Sequence, residues 1–366
     1  MRNIPFISVL AAAVLSVISC ERTDRQPEAG VRISAAMQMW APETRVSYSD
    51  MLYNGKERLD WNVGDRIRIV CKRSDGGATA TADYLVSESP VADGYRSIAH
   101  VTGLSGDGLY WGNGANDFTG ICPSPATPVP GGSGTMASLG FHVGENEAGA
   151  SIPAIQEPSW EGNVGKPRMH YAPVMAESKG LYFSGNVDML FQPAFNAFEL
   201  HFRYEKTSPI HLNSFSLSSQ TEALSGNYSI AFSSSTGRGS VTDAGVLTVP
   251  EPVLTGGGTN NAVSVPLDVT LDKDEEISFT VFTLPGDHAD LTISLDTDKG
   301  TKSLLLRHPD GERLTFPSCS KAVIKGLVIP NAPYLSFVVV SLEHWQWWFP
   351  ESEDDEGLVL ILKGAS

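Results

Sequence analysis

The apolar residues of this chain fall in short alternating runs broken by turn formers, the pattern of strands with one face in a core. In Asp65-Arg66-Ile67-Arg68-Ile69-Val70-Cys71 the two isoleucines share a face, because successive side chains of an extended chain point to opposite sides. Glu199-Leu200-His201-Phe202-Arg203-Tyr204, Ile277 to Phe282 and Leu291 to Leu295 alternate in the same way. Between runs stand Ser74-Asp75-Gly76-Gly77, Ala92-Asp93-Gly94, Ser105-Gly106-Asp107-Gly108 and Gly112-Asn113-Gly114, residues that tolerate the backbone of tight turns. Strands this short, at a spacing of roughly ten residues, predict β-sandwiches. No segment of the N-terminal half keeps a helical period.

Two such units are expected. Pro123 to Pro130 followed by Gly131-Gly132-Ser133-Gly134 reads as a loop, and residues 163–173 close the first unit. The strand pattern restarts at Leu181 to Phe183, Val187 to Phe191, Ala197 to Tyr204 and Ser214 to Leu217. The expected boundary lies between residues 175 and 195, dividing an N-terminal sandwich (31–180) from a C-terminal one (181–366). The second ends in a predicted hairpin, Phe337 to Phe349 against Leu358 to Lys363, with an acidic tip at Glu351 to Glu356.

The chain opens on Arg2, an apolar stretch from Ile4 to Ile18, and Ser19-Cys20, which reads as a secretory signal over 1–19. Val17-Ile18-Ser19-Cys20 is a loose lipobox, so Cys20 is the expected lipidation site and residues 20–30 a polar tether. No later segment reaches the roughly 18 apolar residues of a spanning helix, which leaves the lipid as the expected membrane attachment. The net charge of -16 makes nucleic acid an improbable partner. Cys71, Cys122 and Cys319 have no metal-ligand spacing, and if two of them pair, Cys71 with Cys122 is the favoured bridge.

The search for chemistry returns no nucleophile, metal or phosphate signature, so no catalytic residue, metal or cofactor is assigned and the chain is read as a non-enzyme. His170 and His201 are read as structural. Asp296-Thr297-Asp298-Lys299-Gly300 and Asp272-Lys273-Asp274-Glu275-Glu276 hold carboxylates at calcium-like spacing, but the chelating glutamate is missing from the first and the second flanks a strand start; both read as turns. In His344-Trp345-Gln346-Trp347-Trp348-Phe349 the indoles of Trp345 and Trp347 share one face and Trp348 takes the other. Buried indoles fill a core or a subunit interface, whereas exposed ones stack on sugar rings.

Trp61-Asn62-Val63-Gly64-Asp65-Arg66-Ile67 combines a core anchor with a turn that leads into a strand. With Leu109-Tyr110-Trp111, Asp117-Phe118, Cys122-Pro123, Met169-His170-Tyr171-Ala172-Pro173 and Val187 to Phe195, in that order, it resembles the fimbrillin family of Bacteroidetes, in particular the Mfa-like lipoproteins related to type V pilus subunits. Gln192-Pro193 departs from that family's usual segment, and so does the tryptophan-rich terminus. The resemblance implies two transthyretin-like or Ig-like sandwiches, lipid-linked export to the outer membrane, a surface-exposed adhesive or fimbrial role, and other fimbrial subunits as partners. It also implies removal of the first strand by an arginine-specific protease, so that a neighbour's donor strand takes its place. Here that strand is Val31 to Met37 and the candidate cleavage residue is Arg45. Trp345, Trp347 and Trp348 are the candidate donor-strand or glycan contacts; the alternative function is an outer-membrane glycan-binding lipoprotein that meets host or bacterial surface glycans or proteins.

Overall fold

The computed structural model describes residues 32–37, 46–48, 59–93, 96–104, 109–110, 114–182, 186–232, 240–241, 247–248, 252–307, 314–316, 318–328, 336–344 and 360–361. Cys20, the tether, Arg45, Trp345, Trp347, Trp348 and the acidic tip lie outside them. Two short 3-10 turns, Met136–Leu139 and Met169–Tyr171, interrupt an otherwise all-strand succession.

The chain runs through β1 (Arg32–Met37), β2 (Val46–Tyr48), β3 (Leu59–Trp61), β4 (Arg66–Arg73), β5 (Ala80–Val86), β6 (Val91–Asp93), β7 (Arg96–Gly103) and β8 (Asn116–Cys122). Next come β9 (His142–Val143), β10 (Glu147–Ile152), β11 (Ser159–Glu161), β12 (Val164–Lys166), β13 (Val174–Leu181), β14 (Asn186–Pro193) and β15 (Asn196–Tyr204). These are followed by β16 (Ile210–Ser219), β17 (Gly226–Phe232), β18 (Ser240–Val241), β19 (Leu247–Thr248), β20 (Pro252–Gly257), β21 (Ala262–Leu271) and β22 (Glu276–Thr283). The last are β23 (His288–Ala289), β24 (Leu291–Thr297), β25 (Lys302–Leu305), β26 (Thr315–Phe316), β27 (Ser320–Val328), β28 (Ser336–His344) and β29 (Leu360–Ile361).

An eight-stranded sheet in the order β1-β14-β13-β8-β4-β5-β7-β6 builds the first unit, and it closes on itself because β1 also pairs with β7. The alternation in β4 sends Ile67, Ile69 and Cys71 inward, where Trp61, Phe118 and Phe191 fill the core. A second sheet, β20-β17-β10-β9, adds Ala148, Ala150, Ile152, Tyr228 and Ile230 to the same core. With β9 and β10 laid beside β8, both faces of that strand are covered, and Phe118 to Cys122 are all buried. The second unit is a sandwich of a seven-stranded sheet, β11-β12-β22-β15-β27-β28-β29, on a four-stranded one, β21-β16-β24-β25. Its interior takes alternate residues from each strand: Phe198, Leu200, Phe202 and Tyr204 from β15, and Leu291, Ile293 and Leu295 from β24.

The turn read from Trp61 to Ile67 is built as the sequence suggests. Asn62 donates its backbone N–H to Asp65 Oδ2 at 2.8 Å, Asp65 N–H returns to Asn62 O at 3.0 Å, and Gly64 sits at φ 100°, where a side chain is strained. Trp61 is buried edge-on against Phe191, with ring centroids 5.3 Å apart. Both calcium-like segments close as turns on their own hydrogen bonds. Asp272 N–H donates to Glu275 Oε2 at 2.8 Å, and Thr297 Oγ1 donates to Gly300 O at 2.9 Å while accepting from Lys299 N–H at 3.0 Å.

The favoured cysteine bridge is corrected. Cys71 and Cys122 are buried thiols on neighbouring strands, but Cys71 stands opposite Phe118, four residues short of Cys122. At ~3.3 Å per residue that offset is roughly 13 Å, about twice what a disulfide spans.

Candidate functional site

The strand singled out by sequence, β1, occupies a seat with a ladder on each side. It runs parallel to β14 over six residues, Arg32 opposite Asn186 to Met37 opposite Phe191, and antiparallel to β7, Ile33 opposite Val101 to Met37 opposite Ser97. A strand whose two neighbours run in opposite directions is held by both kinds of ladder, so its backbone groups are paired along both edges.

The walls of the seat are apolar. Val187, Met189 and Phe191, two residues apart along β14, are all buried, and so is Ala99 on β7. Room for the two larger side chains comes from Gly120 on β8: a Cβ there stands 2.9 Å from Phe191 Cζ and 3.2 Å from Met189 Cε. Trp61 closes on Phe191 from another side. The other edge of β14 pairs with β13 at Val174 opposite Pro193 and Met175 opposite Gln192. Among the described residues, then, positions 186–191 of β14 take their lateral backbone partners from β1. Loss of β1 leaves two unpaired strand edges above an apolar floor, and such an edge pairs with any extended segment that supplies a matching ladder.

A cluster of charge lies elsewhere, on the outward face of β15. His201 Nε2 is 2.6 Å from Glu199 Oε1, its Nδ1 is 2.8 Å from Glu276 Oε1, and Lys321 Nζ is 2.5 Å from Glu199 Oε2. The hydrogen bond to Glu199 first, and that to Glu276 after it, raise the His201 pKa against the opposing effect of burial. Burial pushes the Glu199 carboxyl up, but the His201 and Lys321 contacts outweigh it and hold the group at about 2. With a carboxylate on each ring nitrogen, His201 is committed on both sides, which agrees with its structural reading. Neither Lys321 nor Glu276 is predictable from the alternation of β15, since each arrives on a different strand.

No protein-family model matches this sequence, and no curated protein does. Among solved structures, the chain is similar to a candidate cell adhesion protein from Bacteroides uniformis, with 14% identity over 87% of this chain and 99% of that one and a TM-score of 0.47. A second candidate cell adhesion protein, from Bacteroides ovatus, has 14% identity over 86% and 97% with the same score of 0.47. The C-terminally truncated tip fimbrial protein from Porphyromonas gingivalis has 10% identity over 86% and 99%, with a TM-score of 0.37.

Proposed function

We propose that this chain is a cell-surface adhesion protein of the fimbrillin type, a fimbrial subunit that catalyses no reaction and is held at the outer membrane by lipid on Cys20. The observation that supports this reading best is the seat of β1, a strand paired along both edges and laid over a buried apolar floor. Cleavage after Arg45 separates β1 from the rest of the chain, and a donor strand from a neighbouring subunit re-forms both ladders. The partners are therefore other fimbrial subunits, and the adhesion target is a molecule of a host or bacterial surface.

Treatment of the full chain with an arginine-specific protease is expected to yield assemblies that resist sodium dodecyl sulfate and run as a ladder. Arg45→Ala abolishes the ladder while leaving the uncut chain folded. A wild-type chain that stays a single cut species overturns strand exchange. Cys20→Ala is expected to release the protein from the membrane fraction, and its retention there overturns the lipid anchor.

A further inference from the structure

The chain does not finish one unit before it begins the other. β17 and β20, from the C-terminal half, join β9 and β10 in a sheet whose Tyr228 and Ile230 lie in the first core. β11 and β12 go the other way: Val164 stands opposite Ser278 and Gly165 opposite Phe279 on β22, and Trp160 packs against the second core. β13 and β14 then return to the first sheet before β15 enters the second.

The segments that cross between the units are bonded to what they pass. Gln156 Nε2 donates to Phe282 O at 2.7 Å and its Oε1 accepts from Phe282 N–H at 2.9 Å, so a side chain takes the place of a strand beside β22. Gln156 N–H donates to Ser264 O, and Ser264 N–H to Ala154 O, each at 2.8 Å. Leu224 N–H donates to Asn260 O at 2.7 Å, and Leu224 O accepts from Leu284 N–H at 3.0 Å. The boundary is also dry. β15 and β22 bury one face in each core: Phe198 and Val281 in the second, Ala197 and Phe282 in the first, where Phe195 meets Phe282 edge-on with ring centroids 4.9 Å apart.

We infer that the two units open only together, so that the second unit responds to whether the seat of β1 is filled. Domains joined by a linker open one at a time, because each can lose its own packing and leave the other intact. Neither unit can do so here. Opening the first bares Ala197 and Phe282, and opening the second draws Tyr228, Ile230 and Phe282 out of the first core. Such coupling is reciprocal. A strand in the seat, β1 or the donor strand proposed above, therefore firms the second unit as well as the first. Its use in assembly rests on that proposal, whereas the shared opening rests on the crossings alone.

Native-state hydrogen exchange of the full chain tests this. In wild type the slowest amides of β4, in the first unit, and of β24, in the second, are expected to share one opening free energy. Ile69→Val and Ile293→Val each shorten one side chain in one core, and each is expected to speed both sets of amides by the same factor, roughly 2- to 12-fold. Ala35→Pro, which removes an N–H from the middle of β1, is expected to speed β24 along with β4. Unequal opening free energies in wild type, a valine variant that speeds only its own unit, or an Ala35→Pro chain whose β24 exchanges as in wild type each overturns the inference. No protease enters the measurement. A chain that shows the shared opening but yields no ladder resistant to sodium dodecyl sulfate keeps the coupling and loses strand exchange.

Discussion

At the scale of single residues, the seat of β1 rests on Trp61 and Gly120. Trp61 is buried and meets Phe191 edge-on. Trp61→Ala is expected to cost ~3 to 5 kcal/mol, since the vacated indole leaves a large cavity. Gly120→Ala acts oppositely, pushing a methyl group into Phe191 and Met189, and is expected to cost about 1 to 3 kcal/mol; urea unfolding of both variants measures these losses. Trp61 was legible because its anchoring role travels with an adjacent turn. Gly120 was not, because the side chains it admits belong to a strand far along the chain, and nothing local distinguishes it from a turn glycine. The cysteines give a third prediction at this scale. Burial raises the Cys71 thiol to about 11, so it is protonated as well as covered at neutral pH, whereas Cys319 is half-buried. Modification of the native chain by a thiol reagent, mapped by mass, is expected at Cys319 well before Cys71; equal rates contradict the burial of β4.

At the scale of elements, alternation was readable wherever one face of a strand meets water. β24 shows it along its whole length and β15 from Phe198 onward, with buried and wetter positions trading places along the strand. It fails at β8, which is covered on both faces and is buried from Phe118 to Cys122. The wet face of β15 carries a pH-dependent contribution to stability. His201 has its pKa raised in the fold, so its contribution is complete below the ordinary value of 6.5 and fades as pH rises through the higher folded value. Glu199 is lowered from 4.5 to about 2, so its contribution is complete above 4.5 and fades as pH falls towards 2. Both are in force together between about 4.5 and 6.5. The difference in melting temperature between wild type and His201→Gln is expected to be largest in that window and to shrink on both sides. A difference that is flat with pH removes the ion pairs from the account.

At the scale of the molecule, the chain folds back on itself in ways that periodicity cannot reveal. β17 and β20 follow the start of the second core in sequence, yet their sheet adds Tyr228 and Ile230 to the first. The parallel pairing of β1 with β14 spans most of the first unit and leaves no local trace in either strand; β1 came to notice only through what the family resemblance implies. If β1 is a separable part, its seat should accept the same strand supplied from outside. A chain lacking residues 31–37 is expected to melt well below wild type, because β14 and β7 lose a shared neighbour over an apolar floor. A synthetic peptide of residues 31–39 is expected to restore the melting temperature in a saturable way. Ala35 sits mid-strand, opposite Met189 on one side and Ala99 on the other, so the same peptide with Ala35→Pro loses an N–H and the regular ladder and should restore little. If both peptides rescue equally, the seat recognises apolar bulk and not an extended backbone. If neither does while the shortened chain stays folded, β1 is no strand acceptor's occupant, and assembly has to run through another edge.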